Sequence, residues 1–336
     1  MEQRNIPWRR LALGLLACLL LAGFTLRAEY ALLPERSDYG AVWSMYLEEP
    51  ENSLDALFFG SSMAYCDVMP GALYAQTGLT SFVMAGPEQT LSLTLPYVKE
   101  ALRTQRPAVV CLELSGVMFH RYQGYTRINV GYMPRFSVNR LEATLRGAEE
   151  SERLGLLFPL YNYHDRWQET SPLALFRPRR DQRTDPNAGA TPMTVRNPQE
   201  ARGVRQDLPT EEEFAENLAC LLEIRDWCAQ QGVPLALFQV PSCAPIPEDW
   251  MERIRAALGN GAIIADFDRN FDAMGLDPAA DFYDFLHLNV WGAAKFNRAL
   301  GDWLQALPEL AGRESREPDP LWTQRAEHFA SLLTEE

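Results

Sequence analysis

Lysine is almost missing from this 336-residue chain: Lys99 and Lys295 are the two, so nearly all of its 31 basic side chains are arginine. Basic charge as a whole is in deficit, 31 Lys and Arg against 45 Asp and Glu, for a net charge of −14. A nucleic-acid-binding chain neutralises phosphates with a net basic face, so nucleic acid is not the expected partner. Histidine is scarce as well: the four are His120, His164, His287 and His328, and no two stand at His-x-x-x-His spacing. The six cysteines, Cys18, Cys66, Cys111, Cys220, Cys228 and Cys243, include no Cys-x-x-Cys pair. Neither spacing of a structural zinc site is present, and no metal is expected. No internal repeat is evident. With 47% hydrophobic and 23% charged residues the chain has a globular balance rather than a disordered one.

The longest uncharged apolar run lies near the start. Residues 11–26 read LALGLLACLLLAGFTL, with Arg4, Arg9 and Arg10 before them and Arg27 behind. As a helix the run covers roughly 24 Å, a little short of a hydrocarbon core of about 30 Å, and arginine snorkelling with Trp8 at the interface makes up the difference. A single membrane anchor over 11–27 is therefore expected, following a cytoplasmic N-terminus at 1–10. The basic N-terminus predicts that it stays inside, with the bulk of the chain extracytoplasmic. The rivals are a cleaved signal peptide, for which Leu26-Arg27-Ala28 is a poor cut site, and a lipoprotein site at Cys18. Five cysteines then lie beyond the anchor. Cys220 and Cys228 share an expected helix eight residues apart, about 12 Å along its axis and too far for a disulfide, so buried free thiols are expected.

Beyond a stalk at 28–54, short apolar runs alternate with helical patterns. Ala56 to Phe59 stops at Gly60, Ser81 to Met84 at Gly86, and Ala108 to Leu112 at Glu113. After a gap come Pro234 to Val240 and Ala262 to Ala265. Between them lie helical stretches at 70–76, 92–105, 211–231 and 247–258, and a last helix at 290–307. Thr210 to Glu213 has the form of a capping box. Continuous apolar strands alternating with helices mark a parallel sheet covered on both faces. The expected fold is α/β, a three-layer α/β/α sandwich of about five parallel strands over 55–307. Residues 115–209 break the rhythm and form an expected insertion after the third strand, ending in a Pro- and Arg-rich loop. A helical tail follows at 308–336.

In such a sheet, chemistry gathers at the C-terminal strand edges. Three local sequences fall there. Gly60-Ser61-Ser62 sits on the turn out of the first strand, where a serine is exposed, or where either serine simply caps a helix. Gly86, at the end of the second strand, leaves a bare N–H that suits an oxyanion, or forms an ordinary Gly-Pro turn. Asp284 precedes His287 by three residues, so its carboxylate can hold one imidazole nitrogen and leave the other for a serine hydroxyl.

In this order the three pieces resemble the SGNH/GDSL hydrolase superfamily. Gly60-Ser61-Ser62 matches its first block, with Ser where many members have Asp. Gly86 matches the second block, and Asp284 with His287 the last. The resemblance implies Ser62 as nucleophile, His287 as base, Asp284 as its orienting partner, and the Ser62 and Gly86 N–H groups as oxyanion donors, with no cofactor. The third block usually supplies an Asn, yet residues 112–116 here read LELSG, which leaves Glu113 or Ser115 in that place. Together with the anchor, the pattern is similar to the membrane-anchored envelope branch that includes the lipoteichoic acid D-alanylation protein and the alginate-type O-acetyltransferases. That implies an acyltransferase or esterase acting on acyl groups, above all O-acetyl, of an envelope glycopolymer or other acylated carbohydrate, with a membrane-bound O-acyltransferase as its partner. The alternative is a non-catalytic scaffold or binding subunit of the same fold. Within the insertion, the stretch from Tyr161 to Trp167 carries His164 and Arg166, which are candidate substrate-binding residues or the packed parts of a hinge. Arg177, Arg179, Arg180 and Arg183 suit either an anionic polymer or a solvated loop.

Overall fold

The computed structural model describes residues 8–32, 42–158, 160–161, 164–168, 170–176, 185–313 and 319–334. Five strands form one all-parallel sheet: β1 (Ala56–Gly60), β2 (Ser81–Ala85), β3 (Val109–Glu113), β4 (Leu235–Gln239) and β5 (Ile263–Asp266), in the order β2-β1-β3-β4-β5. The connection from β1 runs one way to β2, and the chain then crosses back to β3 on the other side of β1. That reversal opens a crevice outside the C-terminal ends of β1 and β3.

The strands are mostly apolar because both faces are covered, with Glu113, Gln239 and Asp266 polar at their C-terminal ends, and their period of two splits the core in half. Leu57, Phe59, Phe82, Met84, Val110 and Leu112 point into one cluster, while Ala56, Phe58, Val83, Ala85, Val109 and Cys111 point into the other. Two helices N-terminal to the sheet come first, α1 (Trp8–Leu32) and the short α2 (Trp43–Tyr46). Next along the chain are α3 (Ser62–Asp67), α4 (Pro70–Thr77) and α5 (Leu91–Ala101). The insertion after β3 carries α6 (Thr126–Gly131), α7 (Val138–Gly147) and α8 (Glu150–Leu157). The remaining helices are α9 (Glu211–Gln231), α10 (Glu248–Leu258), α11 (Val290–Gln305) and α12 (Pro320–Leu332). The first core cluster receives α2, α5, α9 and α10, and the second receives α3, α4 and α11, with Phe329 of α12. The capping box is complete: Thr210 accepts from the Glu213 N–H, and the Glu213 carboxylate accepts from the Thr210 N–H. Among the described residues the cysteines are all free thiols, and Cys66, Cys111, Cys228 and Cys243 are buried.

The α1 helix is longer than the sequence pattern suggests. Residues Trp8–Glu29 are long and apolar enough to cross a membrane, with a mean hydropathy of 2.0, and are almost wholly uncovered by the rest of the protein. The far end of α1 is gripped by the insertion. Arg27 Nε donates to the Leu175 carbonyl at 2.7 Å, the Leu160 N–H donates to Glu29 Oε1 at 3.3 Å, and Arg135 pairs with Glu29.

The Pro- and Arg-rich loop divides in two. Arg177, Arg179, Arg180 and Arg183 lie outside the described residues. From Asp185 onward the segment is a strap held along the sheet by backbone hydrogen bonds. The Val83 N–H, on the outer side of edge strand β2, donates to the Ala188 carbonyl at 2.9 Å. Thr191 N–H donates to Tyr65 O at 2.7 Å, Val290 N–H to Met193 O at 2.8 Å, Asn197 N–H to Phe282 O at 3.0 Å, and Gly203 N–H to Cys243 O at 2.7 Å. Covering an open strand edge removes a pairing hazard, and here it also delivers the strap's far end to the crevice.

Candidate active site

The chain leaves β1 through Gly60, whose φ is +150°. A Cβ at this position would stand 2.7 Å from Glu113 Cβ, so a side chain is excluded by close approach as well as by conformation. Two serines follow and take different jobs. Ser61 has extended backbone and is the N-cap of α3, its hydroxyl accepting from the Met63 N–H at 3.2 Å. It is fully buried and also bonds Ser115 Oγ at 2.7 Å and donates to Glu113 Oε2 at 3.2 Å. Ser62 is the first helical residue and is half-buried, its hydroxyl turned to the crevice.

Ser62 Oγ lies 2.8 Å from His287 Nε2. On the other side of the ring, His287 Nδ1 donates to Asp284, with Oδ2 at 2.8 Å and Oδ1 at 3.0 Å. Asp284 Oδ1 also accepts from the backbone N–H groups of Leu286 at 2.7 Å and His287 at 2.9 Å. These bonds close the loop on itself and fix the ring's tautomer, with the proton on Nδ1 and a lone pair on Nε2 facing the hydroxyl. Burial pushes the Asp284 carboxyl up, but the hydrogen bond and charge of His287 and the two backbone N–H donors outweigh it, and its pKa falls below the ordinary carboxylate value.

The loop and the nucleophile helix are stitched together by groups the sequence pattern did not single out. Asp67, the last residue of α3, accepts the Leu288 N–H at 3.0 Å, one residue beyond His287. Asn297 on α11 donates to the Asp67 carbonyl at 2.6 Å and accepts from the Met69 N–H at 2.8 Å. Asp67 is completely buried, and burial raises its carboxyl well above the usual range against the opposing pull of the Leu288 N–H.

Glu113 ends β3, and Ser115 follows it two residues later. Neither lines the crevice. Glu113 Oε1 accepts from the Ser115 N–H at 2.5 Å and Oε2 from its hydroxyl at 2.6 Å, so the pair braces Ser61 from behind. Burial raises the Glu113 carboxyl against the opposing pull of those hydrogen bonds. Gly86, at the end of β2, is required by a neighbour: a Cβ there would run into Oδ1 of Asn129, a buried residue of α6 whose Nδ2 donates to the Pro87 carbonyl at 2.9 Å.

The crevice is a cavity of about 270 Å³ whose lining includes Ser62, Asp284 and His287. Sequence reasoning missed Glu88, Phe119, Tyr125, Tyr283 and Arg205, which share that lining. The Arg-rich composition of the strap is plain in the sequence, but nothing in it places Arg205 at the site. His164 and Arg166 do not line the cavity. They lie in a short 3₁₀ turn, His164–Gln168, that packs against α1, and the exposed His164 donates from Nδ1 to the Tyr161 carbonyl at 2.7 Å. Tyr163 lies outside the described residues. Among the described residues no cluster of His, Cys, Asp and Glu could hold a metal ion.

No protein-family model matches the chain, and no curated protein matches it closely enough to count as a relative. The arrangement therefore speaks through its chemistry. A hydroxyl bonded to an imidazole that is held by an ionised carboxylate, at a strand edge beside an open cavity, is competent for nucleophilic acyl chemistry.

Proposed function

We propose that the protein is a serine-dependent esterase or acyltransferase. The observation that carries this reading is the unbroken line Asp284–His287–Ser62, with 2.8 Å at each side of the imidazole. Ser62 Oγ attacks the ester carbonyl and His287 Nε2 takes its proton. When the tetrahedral intermediate collapses, His287 returns that proton to the departing alkoxide, which leaves as an alcohol. The acyl group stays on Ser62 as an ester. Water or an acceptor hydroxyl then loses its proton to His287 as it attacks, and Ser62 regains that proton on leaving. Asp284 stays ionised throughout and balances the imidazolium. The expected oxyanion donors are the N–H groups of Ser62 and Gly86; the first residue of a helix has no intrahelical partner for its N–H. No cofactor enters this scheme.

The apolar α1 and its basic flank support an anchored enzyme with its N-terminus inside and its catalytic domain outside the membrane. The resemblance to the anchored envelope branch of the SGNH/GDSL superfamily then points to O-acyl groups, acetyl above all, on an envelope glycopolymer. A membrane-bound O-acyltransferase would be the acyl donor. The competing reading, a scaffold subunit, draws on the acidic Glu113 in the place of an Asn donor. The deciding experiment is active-site labelling of detergent-solubilised full-length protein with a fluorophosphonate, alongside turnover of 4-nitrophenyl acetate. Wild type should label at Ser62 and turn over, and Ser62→Ala should do neither. Equal turnover in both would remove Ser62 as nucleophile, and an inert wild type, with a membrane fraction supplied, would favour the scaffold.

A further inference from the structure

Two charged side chains in the Ser62 cavity have no role in the acyl chemistry. Arg205 arrives at the end of the strap, with its guanidinium 5.3 Å from the centre of the Phe119 ring. Its Nε donates to the Asp207 carbonyl at 3.3 Å, and its two terminal nitrogens have no hydrogen-bond partner among the described residues. Glu88 shares the lining, on the turn after β2. It holds a positive φ of +45°, a conformation a non-glycine residue adopts at some cost. Its carboxylate has neither hydrogen-bond nor ion-pair partner among the described residues. The two feel each other's charge but do not close into an ion pair. Burial lowers the Arg205 guanidinium and raises the Glu88 carboxyl, as expected of charges whose water has been only partly replaced.

We propose that Glu88 and Arg205 are a sugar-reading pair: Arg205 donates to, and Glu88 accepts from, neighbouring hydroxyls of the carbohydrate part of the ester, beside the rings of Phe119, Tyr125 and Tyr283. The inference rests on the Ser62 reading and names what that site recognises. A carboxylate and a guanidinium that line one cavity without pairing match the mixed donor and acceptor character of a diol, and each gains the partners it lacks. Aromatic walls suit the apolar faces of a sugar ring. An anionic group would satisfy Arg205 but would meet Glu88 and the ionised Asp284 on the same lining, so the observations favour an uncharged polyol.

The test compares two esters that share an acetyl group, methyl 6-O-acetyl-α-D-glucopyranoside and 4-nitrophenyl acetate, on full-length protein. In Glu88→Gln, Glu88→Ala, Arg205→Lys and Arg205→Ala, the ratio of kcat/KM for the sugar ester to that for the nitrophenyl ester should fall roughly ten- to a hundred-fold, chiefly through KM, with the conservative variants less affected. In parallel, saturation-transfer NMR should detect methyl α-D-glucopyranoside on the wild type and lose it in both Ala variants. An unchanged ratio and unchanged sugar signal would overturn the proposal. So would a strong preference for O-acetyl-lactate that needs Arg205 but not Glu88, which would make Arg205 an anion reader. The NMR arm needs no turnover, so a wild type that binds the sugar yet cannot cleave 4-nitrophenyl acetate counts against Ser62 and not against the pair.

Discussion

The turn at Ser61-Ser62 and the segment from Tyr161 to Trp167 make an instructive contrast. Both are short stretches dense in groups that suggest chemistry, and the second is the richer in residue type. In the first, every polar group is placed: Ser61 is buried against Glu113 and Ser115, which leaves Ser62 free to face His287. In the second, Tyr161 and Trp167 are 71% and 67% exposed, and the contacts run to the α1 helix rather than to the cavity. Residue type proposes chemistry, but position at the strand crossover decides it, because only there do loops from distant parts of the chain converge on one crevice.

The largest expected effect that sharpens this contrast is at Asp284. Asp284→Asn removes the charge that balances the imidazolium and allows the wrong tautomer, so kcat for 4-nitrophenyl acetate should fall about 10⁴-fold with the melting temperature little changed. The brace comes next. Glu113→Ala removes the carboxylate acceptor that two buried hydroxyls share and should lower stability by about 1–3 kcal/mol in a denaturant titration, with slower turnover following from a loosened turn. A result no different from an exposed-site substitution would show that the brace is idle.

Gly86→Ala forces a methyl group against Asn129 and should cost about 1–3 kcal/mol. Adding Asn129→Ala should recover part of that loss if the collision is its cause. A subtler signature belongs to Asp67. Its carboxyl is raised in the folded state by burial, so above the ordinary carboxylate range the folded chain holds a proton that the unfolded chain has released. Stability must then fall as pH rises through that window toward the folded value. Asp67→Asn keeps an acceptor for Leu288 and should flatten the fall, read as melting temperature between pH 4 and pH 8. The smallest effect is expected at the other region. His164→Ala and Arg166→Ala should leave 4-nitrophenyl acetate turnover within about twofold of wild type, and a loss comparable to that of Asp284→Asn would break the contrast outright.

Much was legible in the residues themselves. The five strands are short, mostly apolar runs, since both faces of a parallel sheet are covered, and the capping box at Thr210 marks the start of a long helix. The apolar helix at the start is legible for the same reason: a long uncharged run has few other solutions. Asp284 and His287 could be paired on paper because they are three residues apart, so their meeting is a local matter.

Other features were decided only by the tertiary structure. From the sequence, either serine of the pair could cap the helix; burial of Ser61 against Glu113, more than fifty positions away, settles which hydroxyl is left for the imidazole. Glu113 reads as the residue that ends a strand, and its carboxylate gains its bracing part only because β3 lies beside β1. Arg205 is one arginine among many until the strap's backbone bonds to Val83, Tyr65, Phe282 and Cys243 carry it across the sheet edge. Local periodicity reports which side of an element is covered. It holds no record of which distant loop will meet it, because that is fixed by strand order and crossover, and these are set by the packing of the whole chain.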